Sequence, residues 1–319
     1  MSSRKPHDPQ LRHFFRTRNA AMREVLQTAG KVLDRDASVL ILGESGTGKD
    51  YLAQAIHACG PRRNEPFVVI ECASIPSELF ESELYGHERG TFTDAHTRKI
   101  GKLEMARRGT VYFDEIAALA PNLQAKLLRA IQERRYTRLG GTQSIELEAR
   151  VISSSNRNLD ALRRDLLYRI NVVTISLPPL RDRREDIAAL AKQFLRRSSV
   201  PLTPRRGERG AGVRGLTSAA LEMLTTYSWP GNIRELRNVI ERAALMSDAK
   251  EIGPDALPLM SGDELVESAT RDRWTLDELE SHYIRTILRI TKSNFSKAAE
   301  ILGINRKTLL EKRRKYGIE

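Results

Sequence analysis

The chain of 319 residues is 40% apolar, carries a formal charge of +12 and has a pI near 9.9. That size and apolar share suit about two or three globular domains. No run approaches about twenty apolar residues and residues 1–10 are polar, which excludes a helical membrane span and a secretory signal and places the protein in the cytoplasm. Cys59 and Cys72, with no second pair and no histidine at ligand spacing, exclude a disulfide framework and a zinc site and read as ordinary buried thiols. The positive charge points either to a polyanionic partner, most simply nucleic acid, or to solubility alone, and its placement along the chain has to decide.

Residues 1–16 are polar and basic, with Arg4, Lys5, Arg12 and Arg16, and read as a flexible tail. Helical spacing begins at Met22, Val25 and Leu26 and runs to Val32 and Leu33. The apolar run 39–42 then predicts a buried strand, followed by Gly43-Glu44-Ser45-Gly46-Thr47-Gly48-Lys49-Asp50. The glycines allow backbone N–H groups to turn onto a polyphosphate, and Lys49 is spaced to reach its β and γ oxygens, so this stretch reads as a nucleoside triphosphate site. Asp50 stands where the generic loop has a magnesium-binding Ser or Thr.

Further strands are predicted at 67–70, 111–113, 149–153 and 172–175, with helical stretches between most of them, which is the pattern of an α/β fold built on a mostly parallel sheet. The strand at 111–113 delivers Asp114 and Glu115 at its C-terminal edge. In a phosphoryl-transfer site Asp114 would hold Mg²⁺ and Glu115 would orient and polarise the attacking water.

Five blocks together carry a family resemblance: the loop 43–49, Glu81-Ser82-Glu83-Leu84-Tyr85-Gly86-His87-Glu88, the Asp114-Glu115 strand, Leu177-Pro178-Pro179-Leu180-Arg181 and Trp229-Pro230-Gly231-Asn232-Ile233-Arg234-Glu235-Leu236. Over residues 17–257 the chain resembles the AAA+ domain of sigma-54-dependent transcriptional activators. The resemblance implies that Asn156 senses the γ-phosphate, that Arg163 and Arg169 reach into a neighbouring subunit's site, and that Arg234 ties a helical lid to bound nucleotide. It also implies that the Gly90-Thr91-Phe92-Thr93-Asp94-Ala95 loop grips the sigma factor. Family members have Gly-Ala-Phe-Thr-Gly-Ala there, so Thr91 adds a β-branch and Asp94 a negative charge and a lost freedom of φ. Asp50 replaces the family's usual Glu, a shortened carboxylate expected to stay near Mg²⁺. Glu71 replaces an Asn that holds the water-activating Glu idle; with Glu71 facing Glu115, one carboxyl must protonate, take up a cation or swing away.

From residue 187 to 246 the pattern is wholly helical, consistent with the lid, and residues 201–215 read as a disordered basic loop. Residues 253–273 are poor in apolar period and read as a linker. A final domain starts with Leu276, Leu279, Tyr283, Ile287 and Ile290 at helical spacing. Ser296 caps a second helix, Gly303 turns, and Asn305 caps a third. This helix-turn-helix pattern resembles the Fis-type DNA-binding domain that ends most of these activators. Eight Lys or Arg against three Glu fall in residues 291–319. Arg306, Lys307 and Thr308 are candidates for base contacts, and Lys312, Arg313 and Arg314 for phosphate.

The predicted organisation is a tail (1–16), an AAA+ α/β subdomain (17–186), a helical lid (187–252), a linker (253–273) and a helix-turn-helix domain (274–319). The implied function is ATP hydrolysis, with Mg²⁺, that remodels the sigma-54 RNA polymerase holoenzyme from upstream activator DNA on the nucleoid. The implied assembly is a homo-oligomer from dimer to hexamer, or a mixed ring with a paralogue. Only about sixteen residues precede the AAA+ block, so an N-terminal regulatory domain is expected to be lacking and control to come in trans, through a regulatory protein or expression level. The rival reading, favoured by Thr91, Asp94 and Glu71, is an ATP-sensing DNA-binding regulator that does not act on sigma-54. A third is a remodelling ATPase unrelated to transcription.

Overall fold

The computed structural model describes residues 11, 14–92, 95–156, 159–198, 215–247, 249–259, 274–291, 295, 298–299, 302–316 and 318. Thr93, Asp94, Ser296, most of the basic 201–215 loop and the 260–273 part of the linker lie outside them. The chain divides into two units, Met1–Leu257 and Pro258–Glu319.

The first unit is built on a five-stranded parallel sheet whose strands lie side by side in the order Phe67–Glu71, Thr110–Asp114, Arg150–Ser155, Val39–Leu42 and Val173–Ser176. Its strands are β1 (Val39–Leu42), β2 (Phe67–Glu71), β5 (Thr110–Asp114), β8 (Arg150–Ser155) and β9 (Val173–Ser176). Alternate residues of each strand face opposite sides. Leu40, Val111, Phe113 and Val151 enter one core, with Leu127 and Ile131 of helix Pro121–Glu133. Val39, Ile41, Tyr112, Ile152 and Ile175 enter the other, with Met22 and Leu26 of helix Ala20–Lys31 and Leu52 and Ile56 of helix Lys49–Cys59. Burial on both faces explains why β1 and β5 read as continuous apolar runs.

Several expectations are corrected here. The segment before the first helix is docked where described: Leu11 is fully buried, and the rings of Phe14 and Phe15 pack edge-on against Tyr51. The lid is not wholly helical. Its helices Arg184–Ser198, Ser218–Thr226 and Asn232–Met246 are joined by a parallel pair, β10 (Gly215–Leu216) and β11 (Glu251–Ile252), too short to leave a period in the sequence. The expected linker starts as folded chain, with a turn at Pro254–Ala256 and a buried Leu257. Cys72 is buried as expected, whereas Cys59 is only partly so.

In the second unit, helix Leu276–Ile290 and helix Arg306–Lys315 enclose a small core. Its buried side chains are Ile284, Ile287, Leu288, Ala298, Ala299 and Leu309. Leu276 and Tyr283, expected in this core, are exposed instead. The apolar face of the first helix is turned by about one residue, so Ile284 takes the inward place. Gly303 has φ +65° and Asn305 caps the last helix by accepting the Thr308 N–H at 2.8 Å, both as expected.

Candidate functional site

The strand ends of β1, β5 and β8 converge on one edge of the sheet. The loop after β1 is shaped by Gly46 (φ +75°) and Gly48 (φ +95°), and a Cβ on Gly43 would lie 2.8 Å from Thr47 Oγ1. Lys49, at the start of its helix and almost fully buried, donates to Gly43 O at 2.9 Å and pairs with Glu115 Oε1 at 2.9 Å. Asp50 is exposed in the same helical turn.

Asp114 and Glu115 are set by neighbours that sequence patterning did not reveal. Asp114 Oδ1 accepts hydrogen bonds from Tyr112 Oη at 3.0 Å and Ser154 Oγ at 2.6 Å. Ser154 Oγ in turn accepts the Glu115 N–H at 3.0 Å, so this one hydroxyl orders both carboxylate residues. The available signal was the Ser153-Ser154-Ser155 run inside a fully buried strand, where three hydroxyls need partners. Burial raises the Tyr112 phenol well above its usual pKa, so it stays a proton donor toward Asp114. Glu115 has φ +51°, an uncommon backbone for a side chain of this kind. Its Oε2 accepts the Asn156 N–H at 2.9 Å.

Glu71 and Glu115 sit at the ends of neighbouring strands. Glu71 lies at the exposed end of β2, in register with Asp114, while both Glu115 oxygens are occupied by Lys49 and Asn156. Among the described residues no cluster of three or more His, Cys, Asp or Glu could hold a metal.

The lid reaches this site through Arg234, whose Nη1 donates to Ser45 Oγ at 2.8 Å. Glu44, expected beside the nucleotide, is held by Arg181 in a two-pronged ion pair at 2.8 and 2.6 Å. Arg163 and Arg169 are exposed and touch neither the loop nor Asp114 and Glu115. Arg163 chelates Asp165 at 3.1 and 2.7 Å, and Arg169 makes one long bond of 3.4 Å to Ile131 O.

The 90–95 loop rises from an antiparallel pair, β3 (Gly86–His87) with β4 (Lys99–Ile100). Phe92 is 44% exposed with its ring edge-on to His87, 4.9 Å between centroids. Thr91 turns inward: its hydroxyl meets Glu88 O at 2.6 Å and Leu139 O at 3.1 Å. The extra β-branch therefore packs at the loop base, against Gly140, and does not decorate the tip.

In the second unit Arg306 and Lys307 are exposed at the start of the last helix. Lys312 and Arg313, expected on phosphate, have partners within the unit: Lys312 pairs with Glu280 at 2.6 Å, and Arg313 lies over the Phe295 ring and donates to Ile318 O.

A parallel sheet in this order, a phosphate loop, two ordered carboxylates and a helical lid with an arginine on the loop define an AAA+ ATPase. The sequence matches the Sigma-54 interaction domain over residues 15–176, the AAA+ ATPase lid domain over 181–272 and the Fis family of bacterial regulatory proteins over 275–316. It is 41% identical to the regulatory protein AtoC of Escherichia coli, covering 95% of this chain and 68% of that protein. It is 42% identical to the alginate biosynthesis regulator AlgB of Pseudomonas aeruginosa, covering 93% and 66%. The crystal structure of NtrX from Brucella abortus in complex with ATP is similar over 95% of this chain and 69% of that chain, with TM-score 0.67 and 32% identity. The chain belongs to the sigma-54-dependent transcriptional activators and is a DNA-binding AAA+ ATPase of the Fis-type helix-turn-helix group. It spans about two thirds of the length of these relatives. The readings that set it apart from sigma-54 are not favoured.

Proposed function

We propose that this chain hydrolyses ATP in a ring of identical or paralogous subunits and spends the released energy on remodelling the sigma-54 RNA polymerase holoenzyme at a promoter, from upstream DNA. The observation that carries this is the convergence of Lys49, Asp114, Glu115 and Arg234 on one loop inside a chain whose 90–95 loop keeps Phe92 exposed.

The N–H groups of residues 43–49 hold the phosphates and Lys49 meets the β and γ oxygens. Asp114 suits Mg²⁺: its carboxylate accepts on Oδ1 from Tyr112 and Ser154, and Mg²⁺ binds through one or two carboxylates, water and substrate phosphates, with no all-protein cage required. Asp50 is the second candidate carboxylate. The metal would offset charge developing on the phosphoryl oxygens. Glu115 takes a proton from the attacking water as the γ-phosphoryl leaves ADP, and Asn156 contacts the γ-phosphate. Arg163 and Arg169 enter the adjacent subunit's site, which requires Arg163 to leave Asp165. Glu71, exposed at the end of β2, stands where an Asn would hold Glu115 idle, so hydrolysis is differently gated here. Phe92 and Thr93 grip the sigma factor. Arg306, Lys307 and Thr308 face bases, with Asn305 fixing their helix and Lys312 and Arg313 near phosphate. The α/β part, lid and DNA-binding part follow the bounds given above, with the lid carried on to residue 257. The place of action is the cytoplasm, on the nucleoid. Among the described residues no helix is long and apolar enough to cross a membrane.

The test is conversion of closed to open complexes by sigma-54 holoenzyme on a promoter bearing the upstream site, with purified protein and ATP. Open complexes that need both ATP hydrolysis and the upstream site support the proposal; ATP turnover without open complexes overturns it.

A further inference from the structure

We infer that Asn232, together with Glu44 and Arg181, is a positioning device for the nucleotide: a buried joint that seats the lid on the phosphate loop and so sets where Arg234 lies. The inference rests on the ATPase reading of the same site. Asn232 opens helix Asn232–Met246, is fully buried and has φ +53°. A left-handed backbone is uncommon outside glycine, and Asn is among the side chains that bear it.

Its carboxamide touches three separate segments. Oδ1 accepts the Leu180 N–H at 2.7 Å, from the connection that follows β9. Nδ2 donates to Ser45 O at 3.0 Å and approaches Glu44 Oε2 at 3.3 Å, both on the phosphate loop, and Pro230 O at 3.5 Å in the lid. The left-handed turn is what lets one side chain face both ways while the helix starts at once. Next along the helix, the Ile233 N–H donates to Gly46 O at 2.9 Å and Arg234 reaches Ser45 Oγ. A Cβ on Gly46 would lie 2.3 Å from Gly231 O, so the two backbones are already in contact.

Glu44 completes the joint. Its carboxylate is forked by the Arg181 guanidinium, a bidentate pair that fixes orientation as well as energy. The side chain therefore ties the loop to the connection after β9 and, through Asn232, to the lid. The outward carbonyls of residues 45 and 46 are bonded to the lid, so any shift of the loop on a triphosphate is carried to Arg234 and to the lid helix.

The experiment is equilibrium binding of a fluorescent ATP analogue to the full chain. Asn232→Gly keeps the left-handed backbone and deletes the carboxamide, whose hydrogen bonds are each of a strength that changes affinity several-fold. It should raise the analogue's Kd about tenfold. Arg234→Ala should raise Kd as well, and the Asn232→Gly/Arg234→Ala double variant should bind no more weakly than the worse single one, because the joint acts through Arg234. Glu44→Gln, which breaks the forked pair and keeps the volume, should raise Kd about threefold and be equally non-additive with Arg234→Ala; it decides the matter if Asn232→Gly does not fold. Additive double variants, or unchanged Kd in Asn232→Gly and Glu44→Gln, overturn the joint. Failure of the unaltered chain to bind the analogue would instead overturn the ATPase reading, so the two failures are distinct.

Discussion

Lys49 Nζ lies 2.9 Å from Glu115 Oε1, so the cation meant for a triphosphate is neutralised by the carboxylate assigned to the attacking water. A γ-phosphate on the loop competes for the same ammonium group. Glu115 then keeps only the Asn156 N–H and gains the freedom to face a water molecule.

Replacing Glu115 with Gln separates binding from chemistry. The amide still accepts from Asn156 but takes no proton and no longer shares Lys49. Phosphate release should fall by about 10²- to 10⁴-fold, with ATP affinity equal to or tighter than that of the unaltered chain. Steady-state turnover and equilibrium binding measure the two, and unchanged turnover would remove Glu115 from the chemistry.

Arg169 is exposed and makes only a 3.4 Å bond within its own chain. Arg169→Ala should therefore leave ATP binding intact and reduce hydrolysis about 10³-fold, the scale of an arginine supplied to a phosphoryl-transfer site. Mixing inactive Arg169→Ala subunits with inactive Glu115→Gln subunits should restore part of the activity, since some interfaces then pair an intact Glu115 with an intact Arg169. No recovery on mixing would place the arginine's role within its own subunit.

Thr91 and Thr93 should separate cleanly. Thr91 spends its hydroxyl on Glu88 O and Leu139 O, so Thr91→Ala should cost about 1 kcal/mol of stability, read as a lowered thermal midpoint, and leave ATP turnover in place. Thr93→Ala should abolish open-complex formation while hydrolysis continues. Open complexes at the normal rate in Thr93→Ala would exclude the loop as the sigma contact.

His57 gives a pH dependence unrelated to catalysis. Burial lowers its pKa below the ordinary 6.5, with Arg150 and Arg62 acting in the same direction. The unfolded chain therefore takes up a proton first as pH falls through 6.5, and stability drops from there until the native ring also protonates. His57→Gln should flatten the thermal midpoint between about pH 7 and 5. A slope identical to that of the unaltered chain would assign it to other groups.

Local chemistry was enough to read the phosphate loop, the Asp114-Glu115 strand end, the Gly303 turn and the Asn305 cap, because each depends on residue types at fixed short spacing: glycine where φ is positive, a carboxylate after an apolar run, an amide before a helix. The alternating sheet was readable for the same reason, since both faces of β1 and β5 are buried and residues 39–42 and 111–113 are continuous apolar runs. Folding in three dimensions decided the rest. The serine run 153–155 and Asn232 in its motif block mark a place but not a partner, and their roles appear only when β8 lies beside β5 and the lid lies on residues 44–46. Glu44 changes from a loop residue to half of an ion pair because Arg181, 137 positions away, is brought to it. The partners of Glu115 and the Leu139 partner of Thr91 likewise come from distant strands and loops, because a hydrogen bond depends on distance through space and a linear pattern records only distance along the chain.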